Sequence, residues 1–157
     1  MGEQVSVTRR IEAPAGQVWA LVADVTRMGE WSPEARAGTW VGGATGPATG
    51  ARFRGANEHG AKRWTTNCEV IAADPGRQFA FRVTAKGFKV AEWRYTFEPT
   101  ATGCAVTETW TDQRGTIARL GGKSVSGVTD RSAHNRAGME HTLVNLKAAA
   151  ESAAAGA

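Results

Sequence analysis

The stretch from Arg10 to Pro33 constrains the fold more than any other part of this chain. Pro14 stands where a strand gives way to the first turn of a helix, a place where proline's missing N–H would be unpaired anyway. Val18, Leu21 and Val22 follow at helical spacing. Asp24 and Pro33 bracket a second short helical segment that carries Met28 and Trp31. Upstream, Val5, Val7 and Arg9 alternate with Ser6 and Thr8, which predicts a first strand over Gln4–Glu12. One strand, two short helices, a long all-strand region and one terminal helix is an unusual order, and it narrows the fold sharply.

The all-strand region is punctuated by turn residues. Gly38–Gly50, with Trp40-Val41 followed by Gly42, Gly43, Gly46, Pro47 and Gly50, is read as a short strand running into a mobile hairpin loop. Strands are predicted at Ala51–Asn57, Arg63–Ala72, Gln78–Thr84, Val90–Glu98 and Cys104–Asp112. Tight turns are expected at Glu58–Ala61, Asp74-Pro75-Gly76, Lys86-Gly87 and Pro99–Gly103. Links this short require antiparallel neighbours. Residues 113–130, with Gly115, Gly121, Gly122 and Gly127 among Ser and Thr, read as a loop or loosely held lid. From about Asp130 to Ser152 the pattern is helical, capped by Asp130 or Ser132.

At 157 residues without an internal repeat or linker, the chain reads as one domain, 1–157, with its core at about 4–152. Six Trp and five Phe within a 41% hydrophobic composition supply a core and pocket walls. A net charge of +4 is too weakly basic, and too dispersed, to indicate a nucleic-acid partner. No secretory signal and no membrane-spanning run is read, so a cytoplasmic protein without integral membrane association is expected. Cys68 and Cys104 are then expected as reduced, partly buried thiols.

Period-2 alternation sorts the strands into two faces. Phe53 and Asn57, Trp64, Thr66 and Cys68, Phe79 and Phe81, Trp93 and Tyr95, and Val106 and Trp110 share one aromatic face. Arg52, Arg54, Arg63, Arg82 and Arg94 fall on the other, with Glu69, Glu92 and Glu98 as partners. Met139, Leu143, Leu146 and Ala150 make an apolar stripe on the terminal helix, which needs the aromatic face as its groove. Asn57, Glu108 and Asp112 are in phase with that apolar face. A polar group there costs free energy unless it finds partners. A cavity with water or ligand would supply them; so would bonds to neighbouring side chains or a place near a strand end. Asp112, at the strand end, is assigned to solvent. Desolvation would raise the pKa of an unpaired Glu108.

Other motifs carry less. Gly121-Gly-Lys-Ser124 lacks the first glycine of a phosphate loop, which would fall at Ile117. His59, His134 and His141 do not form a ligand set, and the two helical histidines are expected at the surface; no metal is assigned. Ser124 and Ser126 have no nucleophile elbow around them.

Together these residues resemble the polyketide cyclase/dehydrase-like branch of the START-like (SRPBCC) superfamily, the helix-grip fold of the birch pollen allergen family. The resemblance rests on Ile11-Glu-Ala-Pro14, Val18-Trp19, Trp31-Ser-Pro33, Gly50–Gly55, Cys68-Glu-Val70, Asp74-Pro-Gly76, Trp93-Arg-Tyr95, Thr107-Glu-Thr-Trp110 and Gly138-Met139, and spans about residues 4–150. It implies a seven-stranded curved antiparallel sheet wrapped around a long C-terminal helix, with a deep, mostly apolar cavity between them. It implies no cofactor and carries no fixed catalytic signature.

Two functions follow as expectations. The first is binding of a hydrophobic small molecule, a lipid, polyketide or aromatic metabolite. Phe53, Asn57, Trp64, Thr66, Phe81, Trp93, Tyr95, Glu108, Trp110, Met139 and Leu143 are the candidate ligand contacts, and the Gly42–Gly50 loop and residues 115–129 would gate access. The second is an aromatic polyketide cyclase/dehydratase, with Glu108 as general acid or base and Tyr95 or Asn57 holding an enolate oxygen. The partner in either case is a small molecule, and the protein a monomer or homodimer.

Overall fold

A computed structural model describes residues 2–156. Strand β1 (Gln4–Ile11) leads into helix α1 (Ala15–Ala23) and a 3-10 turn (Val25–Glu30). Strands β2 (Ala35–Val41), β3 (Arg52–His59), β4 (Lys62–Asp74), β5 (Gln78–Ala85), β6 (Phe88–Pro99) and β7 (Cys104–Asp112) follow. Helices α2 (Thr116–Ser126) and α3 (Arg131–Ala155) end the chain. The seven strands form one antiparallel sheet in the order β1-β7-β6-β5-β4-β3-β2. The passage from β1 to β2, through α1 and the 3-10 turn, therefore crosses from one sheet edge to the other.

Local chemistry explains most boundaries. Pro14 caps α1 rather than occupying its first turn, with its carbonyl accepting from the Gln17 and Val18 N–H groups at 3.0 and 3.2 Å. The Asp74–Arg77 turn closes on an Arg77 N–H to Asp74 carbonyl bond of 2.9 Å, with Gly76 at φ +74, as Pro-Gly at its centre favours. The β3–β4 hairpin is tighter than the sequence suggests: only Gly60 and Ala61 separate the strands, so His59 belongs to β3. Asp130 caps α3, its Oδ1 accepting from the Ala133 N–H at 3.0 Å. Register shifts between Val70 and Ala72 and between Val83 and Thr84 mark bulges, which bend a sheet.

The sheet faces divide as the alternation predicts. Outside, Ser6 and Thr8 share hydroxyl bonds with Thr109 and Thr107 at 2.8 and 2.7 Å. Arg82 pairs with Glu69 at 3.8 Å and Arg94 with Glu92 at 3.3 Å. Inside, Ile11, Phe79, Val106, Leu143 and Leu146 are completely buried. Met139 and Ala150 complete the predicted α3 stripe. α3 lies closest to β1, with α1 beside it, so one flank of the sheet receives the helix. Cys68 and Cys104 are both free and buried.

Two expectations are corrected. Residues 113–130 are not a loop: α2 occupies Thr116–Ser126 despite Gly121 and Gly122. Asp112 is not in solvent: it is 3% exposed and paired to Arg114 at 2.9 Å and Arg119 at 3.3 Å. Both corrections have one cause, since Arg119 lies on α2 and its ion pair ties the helix to the end of β7.

The 3-10 turn packs against β2 with no room to spare. A Cβ on Gly29 would stand 2.0 Å from the Arg36 carbonyl oxygen. That contact is with backbone, which cannot swing away, so Gly29→Ala should lower stability by about 2 kcal/mol or more. Denaturant unfolding of the two proteins measures it; equal midpoints would contradict this packing.

Candidate ligand cavity

The inner face of the sheet does not close on α3. Between β3–β7, the N-terminal half of α3, the 3-10 turn and α2 lies an open cavity of about 1470 Å³. Strand register builds its walls row by row. Trp93 stands opposite Trp110, and on its other side opposite Phe81. Phe53 and Phe81 meet edge to face with centroids 5.2 Å apart, and Trp40 buttresses Phe53 from behind at 5.6 Å. Trp64 faces Asn57 across the β3–β4 pair. Met139 contributes from α3. Ten of the eleven candidate contacts line this cavity; Leu143 is packed in the core below it instead.

The floor is polar. Tyr95 and Glu108 are register partners on β6 and β7. The Tyr95 hydroxyl donates to Glu108 Oε1 at 2.8 Å. Glu108 Oε2 is buried and has no hydrogen-bond partner among the described residues. With 3% exposure and no ion pair, burial pushes this carboxyl up to about 8, against the opposing pull of the Tyr95 hydrogen bond. Burial first, and the nearby Glu108 second, hold the Tyr95 phenol well above its ordinary range.

Two other polar residues of the cavity bond to each other. The Asn57 amide donates to Thr66 Oγ1 at 3.3 Å. Gly55 leaves space for that hydroxyl, since a Cβ there would lie 2.7 Å from it. Burial pushes the Cys68 thiol, next to Thr66, up to about 12, so it stays protonated.

At the mouth the structure assembles a cluster that sequence reasoning missed. Arg131 Nη1 donates to both oxygens of Glu34, at 2.8 and 2.9 Å. His134 Nε2 meets Glu34 Oε2 at 2.8 Å. The His59 ring packs edge-on against His134 with centroids 4.7 Å apart, and its Nδ1 reaches the Ser126 carbonyl at the end of α2 at 3.0 Å. His134 is thus half-buried rather than a plain surface histidine. The sequence signal was slight: Glu34 and His134 are 100 residues apart. Among the described residues no His, Cys, Asp and Glu cluster is placed to hold a metal ion.

α2 covers the mouth, with Ala118, Gly121 and Gly122 toward the cavity and Leu120 77% exposed. It is held at one end by the Asp112–Arg119 pair and at the other by His59. Burial alone would raise Asp112, but the Arg114 hydrogen bonds and the charges of Arg114 and Arg119 outweigh it and hold the carboxyl below its ordinary value. The Gly42–Gly50 loop, by contrast, does not border the cavity. It encloses a separate, shallow surface depression between Val41 and Arg52, so its assignment as a gate is withdrawn.

A curved sheet gripping a C-terminal helix around a half-open cavity defines a helix-grip ligand-cavity protein. The chain belongs to the family described as polyketide cyclase / dehydrase and lipid transport, which matches residues 3–151. It is similar to the Polyketide_cyc-like protein Cgl2372 from Corynebacterium glutamicum, at 34% identity and TM-score 0.63, over 94% of this chain and 90% of that one. The fold is shared with the di-domain ARO/CYC protein StfQ of the steffimycin biosynthetic pathway, at TM-score 0.74 and 16% identity, over 98% of this chain and 52% of that one. It is shared too with the di-domain ARO/CYC protein BexL of the BE-7585A biosynthetic pathway, at TM-score 0.70 and 19% identity, over 95% of this chain and 50% of that one. This chain therefore spans about half of either di-domain protein. No curated protein matches it. Among the described residues no helix is long and apolar enough to cross a membrane.

The Glu108 environment has a measurable signature. Folded Glu108 keeps its proton up to about pH 8, whereas an ordinary glutamate loses it near 4.5. Between those values the folded state binds more protons than the unfolded one, so stability falls as pH rises, by up to about 1.4 kcal/mol per pH unit. Glu108→Gln should remove this component of the slope. Urea unfolding of both proteins across the window tests it; identical slopes would show Glu108 titrating as an exposed carboxyl.

Proposed function

We propose that the protein binds an apolar small molecule, of aromatic or polyketide type, in the cavity between the sheet and α3. The observation that carries this reading is the cavity itself: about 1470 Å³ of space walled by Trp64, Trp93, Trp110, Phe53 and Phe81. A folded chain leaves Trp64 and Trp93 only half-buried against open space at a cost, because each Å² of apolar surface kept from burial forgoes about 25 cal/mol. A ligand recovers that free energy, less the cost of its own immobilisation. Family membership supports a role in binding or processing such molecules. A neutral fluorescent probe, N-phenylnaphthylamine, should bind with a rise in its emission. Trp93→Ala, which removes one wall, should weaken that binding about tenfold. Absence of binding to the wild-type protein would end this reading.

The buried Tyr95–Glu108 pair favours a second reading, a cyclase/dehydratase. A carboxyl titrating near neutrality can both take and return a proton. In its ionised form Glu108 would remove the proton from a carbon beside a ketone. The enolate carbon would bond to a second carbonyl carbon, whose oxygen takes up a proton to become a hydroxyl; loss of a second proton from the carbon between the two groups then forms a C=C bond as that hydroxyl, protonated once more, leaves as water. Tyr95 would hold the enolate oxygen through its hydroxyl. With a polyketide synthase supplying the nascent chain, Glu108→Gln should lower the yield of cyclised aromatic product at least a hundredfold. Equal yields with and without the wild-type protein would rule the reaction out.

A further inference from the structure

Glu108 is a buried carboxyl in this cavity, and among the described residues no group bonds its second oxygen. β7 sets it between Val7 on β1 and Tyr95 on β6. Oε1 is taken by the Tyr95 hydroxyl at 2.8 Å. Oε2 is buried without a partner, in a residue that lines the cavity. The charged side chains on neighbouring elements pair with other carboxyls, and one donor among them, Arg9 Nε, is itself buried without a hydrogen-bond partner. Arg9, two residues beyond Val7, pairs with Glu140 of α3 at 3.9 Å. Arg114 and Arg119 serve Asp112, and Arg131 and His134 serve Glu34 at the mouth. Of the other α3 residues that line the cavity, Asn135, Met139 and Thr142 are uncharged, and His141 is exposed to solvent.

The hydrogen-bond inventory then settles which way Glu108 is polarised. With Tyr95 donating to Oε1, a Glu108 carboxyl that keeps its proton in this desolvated site carries it on Oε2, the oxygen without a partner. A protonated carboxyl is a donor at that oxygen. We propose that Glu108 is the specificity-determining residue of the cavity, its unpaired Oε2 selecting an apolar ligand whose buried end is an uncharged acceptor, such as a ketone, quinone or ester carbonyl, over one ending in a carboxylate. The inference rests on the cavity-binding reading above and narrows it. A carboxylate at the floor would meet no cation and would lose its hydration. An ammonium would have to ionise Glu108 and desolvate both charges, which the attraction between them repays poorly. A carbonyl satisfies the orphaned donor and leaves no charge buried.

Four naphthalenes substituted at the same ring carbon separate these cases: ethylnaphthalene, acetonaphthone, naphthoate and naphthylethylamine. Their dissociation constants for the wild-type protein are read by quenching of tryptophan fluorescence. At about pH 7 acetonaphthone should bind about tenfold more tightly than ethylnaphthalene, the value of one net hydrogen bond to a buried partner. Naphthoate should bind more weakly than either. The acetonaphthone/ethylnaphthalene ratio should fall above about pH 8, where Glu108 loses its proton. Tyr95, held well above its ordinary range, contributes nothing to that change. Glu108→Leu should bring the ratio to about one. Glu108→Gln, which keeps an N–H donor, should hold the ratio at every pH, and this variant with the wild-type pH series suffices if the leucine variant does not fold. A ratio near one in the wild-type protein, tightest binding by naphthoate, or tightest binding by naphthylethylamine would each overturn the proposal while leaving the cavity reading intact. Failure of ethylnaphthalene and acetonaphthone alike to bind would overturn both.

Discussion

The structure depends on a mismatch of widths. Seven strands spaced about 4.8 Å apart span roughly 29 Å along the curve of the sheet. A helix with its side chains is only about 10 Å across. α3 can therefore bury part of an aromatic inner face, and it buries the flank at β1, where Met139, Leu143, Leu146 and Ala150 dock beside α1. The rest must be closed by other pieces. The 3-10 turn brings Met28 and Trp31, α2 brings its small residues, and what none of them fills is the cavity.

That unfilled space sets the electrostatics. A carboxyl at position 108 would be solvated on the outer face of β7, as its neighbours Thr107 and Thr109 are hydroxyl-bonded there. On the inner face it is desolvated, half-paired to Tyr95 and protonated to about pH 8. Asp112, four residues along the same face, has the opposite fate because Arg114 and Arg119 reach it. Two carboxyls on one strand thus do different jobs. One ties down a lid helix; the other stays uncommitted inside the cavity. Local rules of burial and satisfaction are obeyed at Asp112 and broken at Glu108, and such breaches concentrate where proteins act on ligands.

Much of this was legible from residue order. The order of the strands, the aromatic inner face and the α3 stripe all follow from short-range periodicity, which the backbone geometry enforces wherever one face is buried, although β2 begins at Ala35, well before the Trp40-Val41 that the pattern marks. The floor pair was legible for the same reason: Tyr95 and Glu108 each fall in phase with apolar neighbours. What was not legible needed partners distant in sequence. α2 has a weak apolar pattern and two glycines, and it is held by Asp112 and by His59, from opposite ends of the sheet. The Glu34–Arg131–His134 cluster joins the start of β2 to the start of α3, about which spacing is silent.

By itself, then, the sequence determined the alternation of faces, the order of elements and the presence of a carboxyl among aromatics, because these depend on contacts between near neighbours in the chain. The tertiary structure alone decided that the aromatic face stays partly open, that residues 116–126 form a helix across the opening, and that Glu108 keeps one oxygen unpaired while Asp112 does not. Each of those is a matter of which distant side chains arrive within about 3 Å, the reach of a hydrogen bond. Only the folded sheet, with its crossover from edge to edge, sets that distance.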